Sequence, residues 1–188
     1  NFNGKVKIIN NKSLKKFNLD ILLIENVPDY GHSVKFALAE IYEIIKNSKT
    51  IIFVNTRAQS EILFKDLFLS FPELKIGIYH GSLSKKIRLE TERKIKDNSI
   101  NSIVTTSSLE MGIDWDSIQK VINIGAPKSV NKIIQRMGRS NHKYNKTSEA
   151  ILIPTNKFEY LECKALQNLI KSKKFDKIIE KKGSKDVL

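Results

Sequence analysis

Apolar residues recur along this chain in two alternating patterns, which predict a regular succession of strands and helices. Short continuous apolar runs, such as Thr50 to Val54, are typical of strands that are buried on both faces of a sheet. Between these runs, apolar positions return every three or four residues, as at Val34, Leu38 and Ile41, and this spacing favours helices with one buried face. The predicted strands span 19–24, 50–54, 75–79, 102–105, 120–124 and 150–153, with a weaker candidate at 6–9, and the predicted helices span 34–47, 58–69, 84–95, 130–137 and 156–170, with a short helix near Leu109.

Strands that alternate with helices, each joined by a few residues, require a parallel sheet with right-handed crossovers. We therefore predict an α/β fold, an open three-layer and mostly parallel sheet with helices on both faces. Ligands of such sheets bind beyond the carboxyl ends of the strands. This rule brings three polar segments to one rim of the sheet: Asn55-Thr56-Arg57, His80-Gly81-Ser82 and Thr105-Thr106-Ser107.

Length and composition indicate one globular domain with extensions at both ends. The 188 residues suffice for a single core. We interpret residues 1–28 as a linker with a strand that leads in from a preceding domain, 29–172 as the domain itself, and 173–188 as a lysine-rich tail that leads to a further domain. Because the chain starts at Asn1, in a segment that already reads as ordered, we expect it to be a fragment.

The charge balance indicates a polyanionic partner, since the net charge is +13 and the pI is near 9.7. A coding bias towards lysine would give the same balance, so charge alone leaves nucleic acid undecided. The single cysteine, Cys163, excludes an internal disulfide and a cysteine metal cluster, and its helical position favours a buried apolar role. With no long apolar run and no signal-like start, we expect a cytoplasmic protein without a membrane segment.

Motifs that would bind a nucleotide within this domain do not occur in the sequence. There is no G-x-x-x-x-G-K-[ST] loop, no G-x-G-x-x-G and no Asp-Glu pair after a strand that could hold Mg²⁺. A nucleoside triphosphate would therefore have to be held mainly by another domain, and we expect this domain alone to hydrolyse ATP negligibly. No metal site is predicted.

Two arginines near the end of the predicted helix 130–137 form a distinctive pair. Only five of the 33 basic residues are arginine, and Arg136 and Arg139 stand about one helical turn apart with Gly138 between them. A guanidinium group offers a planar fork of donors to phosphate oxygens, which lysine meets only as a point charge. The pair predicts a phosphate contact, although a basic helix end that balances its own dipole has the same sequence.

Several segments together resemble the motifs of superfamily 2 helicases. Thr106 to Asp114 resembles motif V, Gln135 to His142 resembles motif VI, Phe53 to Arg57 resembles motif IV, and His80 to Ser82 resembles the short motif that follows it. Three segments are similar to large helicase-related (Lhr) proteins, namely 107–114, 125–128 and 161–163, and two more, 55–59 and 114–115, point to their ligase-associated branch.

The resemblance implies the second RecA-like domain of a DEXH-box DNA helicase of the Lhr type. Such a protein would translocate 3′ to 5′ on single-stranded DNA without regard to sequence and unwind duplexes during repair, alongside ligase or nuclease partners. It implies ATP and Mg²⁺ as cofactors, both held mainly by the first RecA-like domain of the same polypeptide. Two alternatives stay open: an RNA helicase or double-strand translocase with the same motor, and a non-catalytic module that binds nucleic acid or protein.

The resemblance also assigns the residues that would meet ATP. Arg136 and Arg139 would stabilise charge on the γ-phosphate as arginine fingers, with Gln135 beside them as a polar contact. Related helicases often end this motif with Gly-Arg where this chain has Asn141-His142, which makes Arg139 the better candidate for the finger. His142 would then be a pH-dependent third cation or a neutral polar residue.

Two further positions would approach the nucleotide. Gly112 would permit close backbone contact, and the carboxylate of Asp114 would accept from ribose hydroxyls. A helix cap or Asx turn before Trp115 is the structural alternative for Asp114.

The polar residues on the predicted rim would hold the nucleic-acid strand. Hydroxyls, amides and backbone N–H groups can bind successive phosphates without reading bases. Ser and Thr at strand ends are also common helix caps, so each position has a structural alternative. The predicted strand contacts are Asn55, Thr56, Arg57, His80, Gly81, Ser82, Thr106 and Ser107.

Overall fold

The computed structural model describes residues 17–24, 27–106, 118–140 and 147–174. Within these ranges the strands are β1 (Phe17–Ile21), β2 (Thr50–Phe53), β3 (Ile76–Tyr79), β4 (Ser102–Thr105), β5 (Lys120–Ile124) and β6 (Ser148–Ile153). The α-helices are α1 (Leu38–Ile45), α2 (Arg57–Ser70), α3 (Lys85–Lys96), α4 (Val130–Met137) and α5 (Lys157–Lys171), and a 3-10 turn at Lys35–Ala37 leads into α1.

The strands form one six-stranded sheet in the order β1-β6-β5-β2-β4-β3, and every described pairing is parallel. The prediction of an open parallel sheet is therefore confirmed. Because all strands run the same way, all their carboxyl ends open on one edge, here called the carboxyl rim.

Alternation along the strands divides the core into two layers, one on each face of the sheet. In β2, Ile51 and Phe53 face one layer, whereas Ile52 and the following Val54 face the other. The first layer contains buried residues of α4 and α5, and the second contains those of α1 and α2. Helices therefore cover both faces, which confirms the predicted three-layer arrangement.

The boundaries of β4, β5 and α4 agree with the apolar pattern. The largest difference is at α1, which begins at Leu38 rather than at 34 because Lys35–Ala37 form a 3-10 turn, and smaller differences lie at β1 and β6. β1 pairs with β6 from Phe17 to Ile21, so it is an edge strand of this sheet. In the sequence-based division, this strand instead belongs to a linker, residues 1–28, that precedes the domain. β6 begins at Ser148, two residues earlier than its apolar run, because Ser148 and Glu149 also pair with β1. The strand candidate at 6–9, the short helix near Leu109 and the tail beyond residue 174 lie outside the described residues.

Side chains at the carboxyl rim cap the helices that start there. Thr56, Ser84, Ser129 and Asn156 each accept a hydrogen bond from the backbone N–H three residues later, and these four residues precede α2, α3, α4 and α5. The caps determine where each helix begins, and they therefore also determine the length and the end point of each loop between a strand and the next helix. No helix in the described part of the chain is long and apolar enough to cross a membrane.

Cys163 on α5 provides a test of the packing. Its side chain is fully buried, and burial, followed by the nearby charges of Glu159 and Glu162, raises the pKa of the thiol from 9.0 to about 12. We expect a maleimide to leave Cys163 unmodified in the folded protein at pH 8 and to modify it in denaturant. Because the folded protein keeps the thiol proton while the unfolded chain loses it above pH 9, the thiol should also lower the free energy of unfolding between pH 9 and 12. Rapid labelling of the folded protein would contradict this packing.

Candidate functional site

The strand register brings the polar loops level with one another at the carboxyl rim. Phe53 of β2 lies opposite Thr105 of β4 and Asn123 of β5, and Tyr79 of β3 also lies opposite Thr105. The loops that follow these strands, at 54–56, 80–84, 106 and 125–129, therefore open on the same edge. The structure thus brings the described members of the predicted strand-binding group to one surface.

The loop before α2 has a fixed backbone and exposed side chains. Thr56 Oγ1 accepts from Gln59 N at 3.1 Å, while Gln59 Oε1 accepts from the backbone N–H groups of Asn55 (3.2 Å) and Thr56 (3.1 Å). This capping box confirms the structural alternative for Thr56, whose hydroxyl still has a proton to donate. Asn55, Thr56 and Arg57 are all exposed, so a ligand at the rim can reach them.

The segment after β3 divides into a buried histidine and an exposed turn. His80 is only 2% exposed, and its Nε2 lies 3.4 Å from Glu61 Oε1 without hydrogen-bond geometry. Its backbone carbonyl accepts from Leu83 N at 3.1 Å, which closes the turn that carries Gly81 and Ser82. Because those two residues are exposed and His80 is enclosed, a strand contact from this segment would come from Gly81 and Ser82.

Thr106 is the last described residue after β4 and is half-buried at the rim. Its carbonyl accepts from Thr105 Oγ1 at 3.0 Å. Ser107, Gly112, Asp114 and His142 lie outside the described residues, so their predicted contacts with the strand or with ATP stay predictions.

Two helices at the rim begin with basic side chains, where the helix dipole is also positive. None of α2, α3 and α4 has an acidic residue in its first turn, and Arg57, Lys85 and Lys86 occupy the first positions of α2 and α3. A cation at a helix N-terminus is unfavourable by about 0.3–1 kcal/mol at an exposed site. This rim therefore carries an electrostatic cost in the free protein that a bound anion would relieve.

Arg136 points into the domain, where its contacts include an aromatic ring and a side-chain amide. Its side chain is 4% exposed, its guanidinium carbon lies 4.8 Å from the centre of the Phe53 ring, and its Nη1 donates to Asn123 Oδ1 at 3.0 Å. The long side chain reaches back along α4 towards the ends of β2 and β5, as helical side chains do. In this conformation Arg136 ties α4 to the sheet, a geometry that favours a positioning role over the predicted contact with the γ-phosphate.

Arg139 lies on a different part of the surface from the rim loops. The chain continues past α4 with Arg139 N donating to Arg136 O at 3.0 Å, and Ser140 O accepts from Ser148 Oγ at 2.9 Å. Because Ser148 is the first residue of β6, this end of α4 lies towards the amino ends of the strands. Arg139 is half-buried and Gln135 is exposed. The structure therefore separates Arg139 from the predicted strand contacts.

Several polar residues at the rim were not singled out by sequence reasoning. Glu159 Oε2 accepts from Thr155 N (2.9 Å) and Thr155 Oγ1 (2.6 Å), and Glu159 Oε1 lies 3.5 Å from His32 Nδ1. Gly125, which follows β5, has a positive φ of 77° and lies beside both Glu159 and Asn55. The sequence signals at Gly125 were a glycine directly after a strand and the likeness of 125–128 to Lhr proteins, and neither showed these contacts, because they join segments far apart in the chain. Among the described residues, no three His, Cys, Asp or Glu side chains are grouped so as to hold a metal ion.

Comparison with protein families gives a match to the helicase conserved C-terminal domain over residues 34–143. Among curated proteins, the ATP-dependent helicase Lhr-Core protein 2 of Thermococcus barophilus is 37% identical over 149 residues, which cover 78% of this chain and 17% of the relative. The ATP-dependent helicase Lhr-Core of Methanocaldococcus jannaschii is 34% identical over 195 residues, covering 99% of this chain and 23% of the relative. The chain thus spans roughly a fifth of the length of these relatives.

Solved structures agree with this match. The helicase Lhr of Mycobacterium smegmatis, bound to ssDNA and AMP-PNP, superposes with a TM-score of 0.78 at 26% identity, covering 88% of this chain and 23% of that one. A single-substitution variant of Dbp5 of S. cerevisiae, bound to RNA and ADP BeF3, superposes with a TM-score of 0.67 at 22% identity, covering 81% of this chain and 39% of that one. The second likeness shows the fold alone.

The buried guanidinium of Arg136 leads to a stability prediction. We expect Arg136→Ala to lower the free energy of unfolding by about 3 kcal/mol, because it leaves a cavity against Phe53 and removes the donor to Asn123. The exposed Arg93 on α3 offers a matched control, and Arg93→Ala should change stability by less than about 0.5 kcal/mol. Urea unfolding of both variants measures the difference, and equal midpoints would contradict the buried contact.

Proposed function

This chain belongs to the helicase conserved C-terminal domain family, in its Lhr type, and we propose that it is the second motor domain of an ATP-dependent DNA helicase. The whole protein would translocate 3′ to 5′ on single-stranded DNA and unwind duplexes in repair, with ligase or nuclease partners in the cytoplasm. The first RecA-like domain of the same polypeptide would hold the ATP phosphates and Mg²⁺. Closure of the two domains on ATP and reopening after hydrolysis would move the strand.

Arg139 is our candidate for the residue that completes the ATP site. Its guanidinium would meet the γ-phosphate from across the domain interface and stabilise the charge that develops as the bond breaks. Arg136 would hold α4 in place for this contact, because its own guanidinium is committed to Phe53 and Asn123. Gln135, Gly112, Asp114 and His142 would complete the nucleotide contacts.

The carboxyl rim is our candidate for the strand-binding surface. The observation that carries this proposal is the cationic start of α2 and α3, where side-chain charge and helix dipole have the same sign. Exposed Asn55, Thr56 and Arg57 lie beside these charges and can donate to phosphates without reading bases. Gly81, Ser82, Thr106 and Ser107 would extend the same path along the strand.

The contact of Arg136 with Phe53 connects the two proposed surfaces. Phe53 ends β2, two residues before Asn55, while Arg136 stands three residues before Arg139. A shift of α4 on ATP binding would therefore act directly on the strand that carries the Asn55 loop. This short path supports coupling between hydrolysis and the grip on nucleic acid.

Substitution of Arg139 tests the motor function. In the full-length protein, we expect Arg139→Ala to lower the rate of DNA-stimulated ATP hydrolysis by about 10³-fold or more, as for loss of an arginine finger, and to leave binding of single-stranded DNA within about twofold of wild type. Arg93→Ala, which removes an exposed arginine elsewhere, should change neither quantity. A non-catalytic binding module would show the same hydrolysis rate with and without Arg139.

The nature of the tracking strand is tested separately. We expect the full-length protein to hydrolyse ATP and unwind when the loading strand is DNA, and to be at least about tenfold slower when that strand is RNA. Matched duplexes with DNA or RNA loading strands, each with a 3′ or a 5′ overhang, measure both preference and direction. Equal rates on RNA would support the RNA helicase alternative, and activity on blunt duplexes would support a double-strand translocase.

A further inference from the structure

Gly125 sits where a larger residue would disturb the carboxyl rim. A Cβ atom at this position would lie 2.8 Å from Asn55 Nδ2 and 3.1 and 3.2 Å from the two carboxylate oxygens of Glu159. Real Cβ atoms essentially never approach another heavy atom as closely as the first distance. Glycine at 125 therefore leaves room for the amide of Asn55 at this place on the rim.

The two neighbours of Gly125 differ in how easily they could move. The Glu159 carboxylate is held by two hydrogen bonds from Thr155, at 2.9 and 2.6 Å, and its side chain is only 13% exposed. Asn55 is exposed, and its side-chain amide has no hydrogen-bond partner in the described part of the chain. An added methyl group would therefore mainly displace the amide of Asn55, whereas the Glu159 carboxylate would have to shift by only a few tenths of an ångström.

The backbone of Asn55 is fixed independently of this contact. Its N–H donates to Gln59 Oε1 at 3.2 Å within the capping box of α2. Its side chain lines an open cleft of about 560 Å³, with Lys128 and Glu159 on the other walls. The backbone of the loop is thus held in place. The direction of the Asn55 amide then depends on the atoms around it, which include the Cα of Gly125.

We propose that Gly125 is a positioning residue for nucleic-acid binding, which aims the Asn55 amide at a phosphate of the bound strand. The fixed carboxylate of Glu159 forms the back wall that keeps the amide in that direction. This inference rests on the proposed strand contact of Asn55. It adds a residue outside the segments that resemble motifs IV, V and VI, on a different strand from Asn55.

The chain contains a matched control for the backbone effect of replacing Gly125. Gly125 has φ +77°, so alanine there would be strained whatever the space around it. Gly31 has φ +101°, and a Cβ at that position would meet nothing within 4 Å. Gly31→Ala therefore introduces the backbone strain without a steric clash. Because the Gly31 carbonyl accepts from Thr155 Oγ1 (3.3 Å) and Asn156 Nδ2 (2.7 Å), the same variant also shows whether strain at these hydrogen bonds alone affects strand binding.

The experiment is a double-mutant cycle on the full-length protein, with a fluorescein-labelled oligo(dT) strand as the probe and thermal unfolding as the measure of strain. We expect Asn55→Ala to weaken strand binding about tenfold, as for loss of one hydrogen bond to a charged group. Gly125→Ala should weaken it by a similar factor, and the double variant should show no further loss. Gly31→Ala should lower the melting temperature through backbone strain, by no more than Gly125→Ala does, while keeping wild-type strand affinity.

The results distinguish failure of the positioning role of Gly125 from failure of the strand contact of Asn55. If Asn55→Ala weakens binding but Gly125→Ala binds as tightly as Gly31→Ala, or if the two losses add in the double variant, the positioning role is wrong and the strand contact stands. If Asn55→Ala binds like wild type, the proposed strand contact of Asn55 fails, and the positioning role fails with it. Should Gly125→Ala fail to fold, Gly125→Asn is made instead, since asparagine tolerates a positive φ better than alanine does and brings the same Cβ, with the same expected loss.

Discussion

A guanidinium group buried between a helix and a sheet is the contact on which this account of the domain depends. Arg136 lies over the ring of Phe53 and donates to Asn123, so one side chain of α4 meets the ends of both β2 and β5. A cation buried to this degree is tolerated only where hydrogen bonds and an aromatic face replace water. Its loss would loosen the end of α4, whose Val130, Ile133 and Met137 remain packed on the sheet, and with it the segment that carries Arg139.

The parallel sheet places the two kinds of chemistry on different surfaces. Every strand delivers its following loop to the carboxyl rim, and the first turns of α2 and α3 add exposed cations there. By contrast, α4 runs back towards the amino ends, where Ser148 holds the carbonyl of Ser140. Arg139 therefore stands apart from the proposed strand-binding residues. A domain with two such surfaces can face a nucleic-acid strand and a neighbouring domain at the same time.

Much of the fold could be predicted from the sequence because local and tertiary preferences agree. Strands such as Ser102–Thr105 and Lys120–Ile124 are short apolar runs, and in a sheet covered on both faces such runs are buried throughout or nearly so. Helix starts were equally visible, since Ser84 and Asn156 are cap residues directly before helical spacing begins. β1 was harder to assign, because its place in the sheet depends on pairing with residues more than a hundred positions away.

The candidate site was predicted less completely, because burial is decided by packing rather than by residue type. Arg136 and Arg139 look equivalent in the sequence, yet Arg136 follows Ile133 by three residues and so shares the buried face of α4. That spacing was a usable signal. His80 gave no comparable signal, since its enclosure depends on the turn to Leu83 and on α2. Gly125 belongs to a segment similar to Lhr proteins, but its contacts could not be recognised, because its neighbours Asn55 and Glu159 lie in distant segments.

The central claim is that Arg139 completes an ATP site held by another domain while Arg136 stays within its own. The most direct test is a structure of the full-length protein with a non-hydrolysable ATP analogue and single-stranded DNA. The account predicts a guanidinium nitrogen of Arg139 about 2.8 Å from an oxygen of the terminal phosphate, with Arg136 still on Phe53. A closed, nucleotide-bound structure in which Arg139 points away from the phosphates, or in which Arg136 has left Phe53 to reach them, would contradict it.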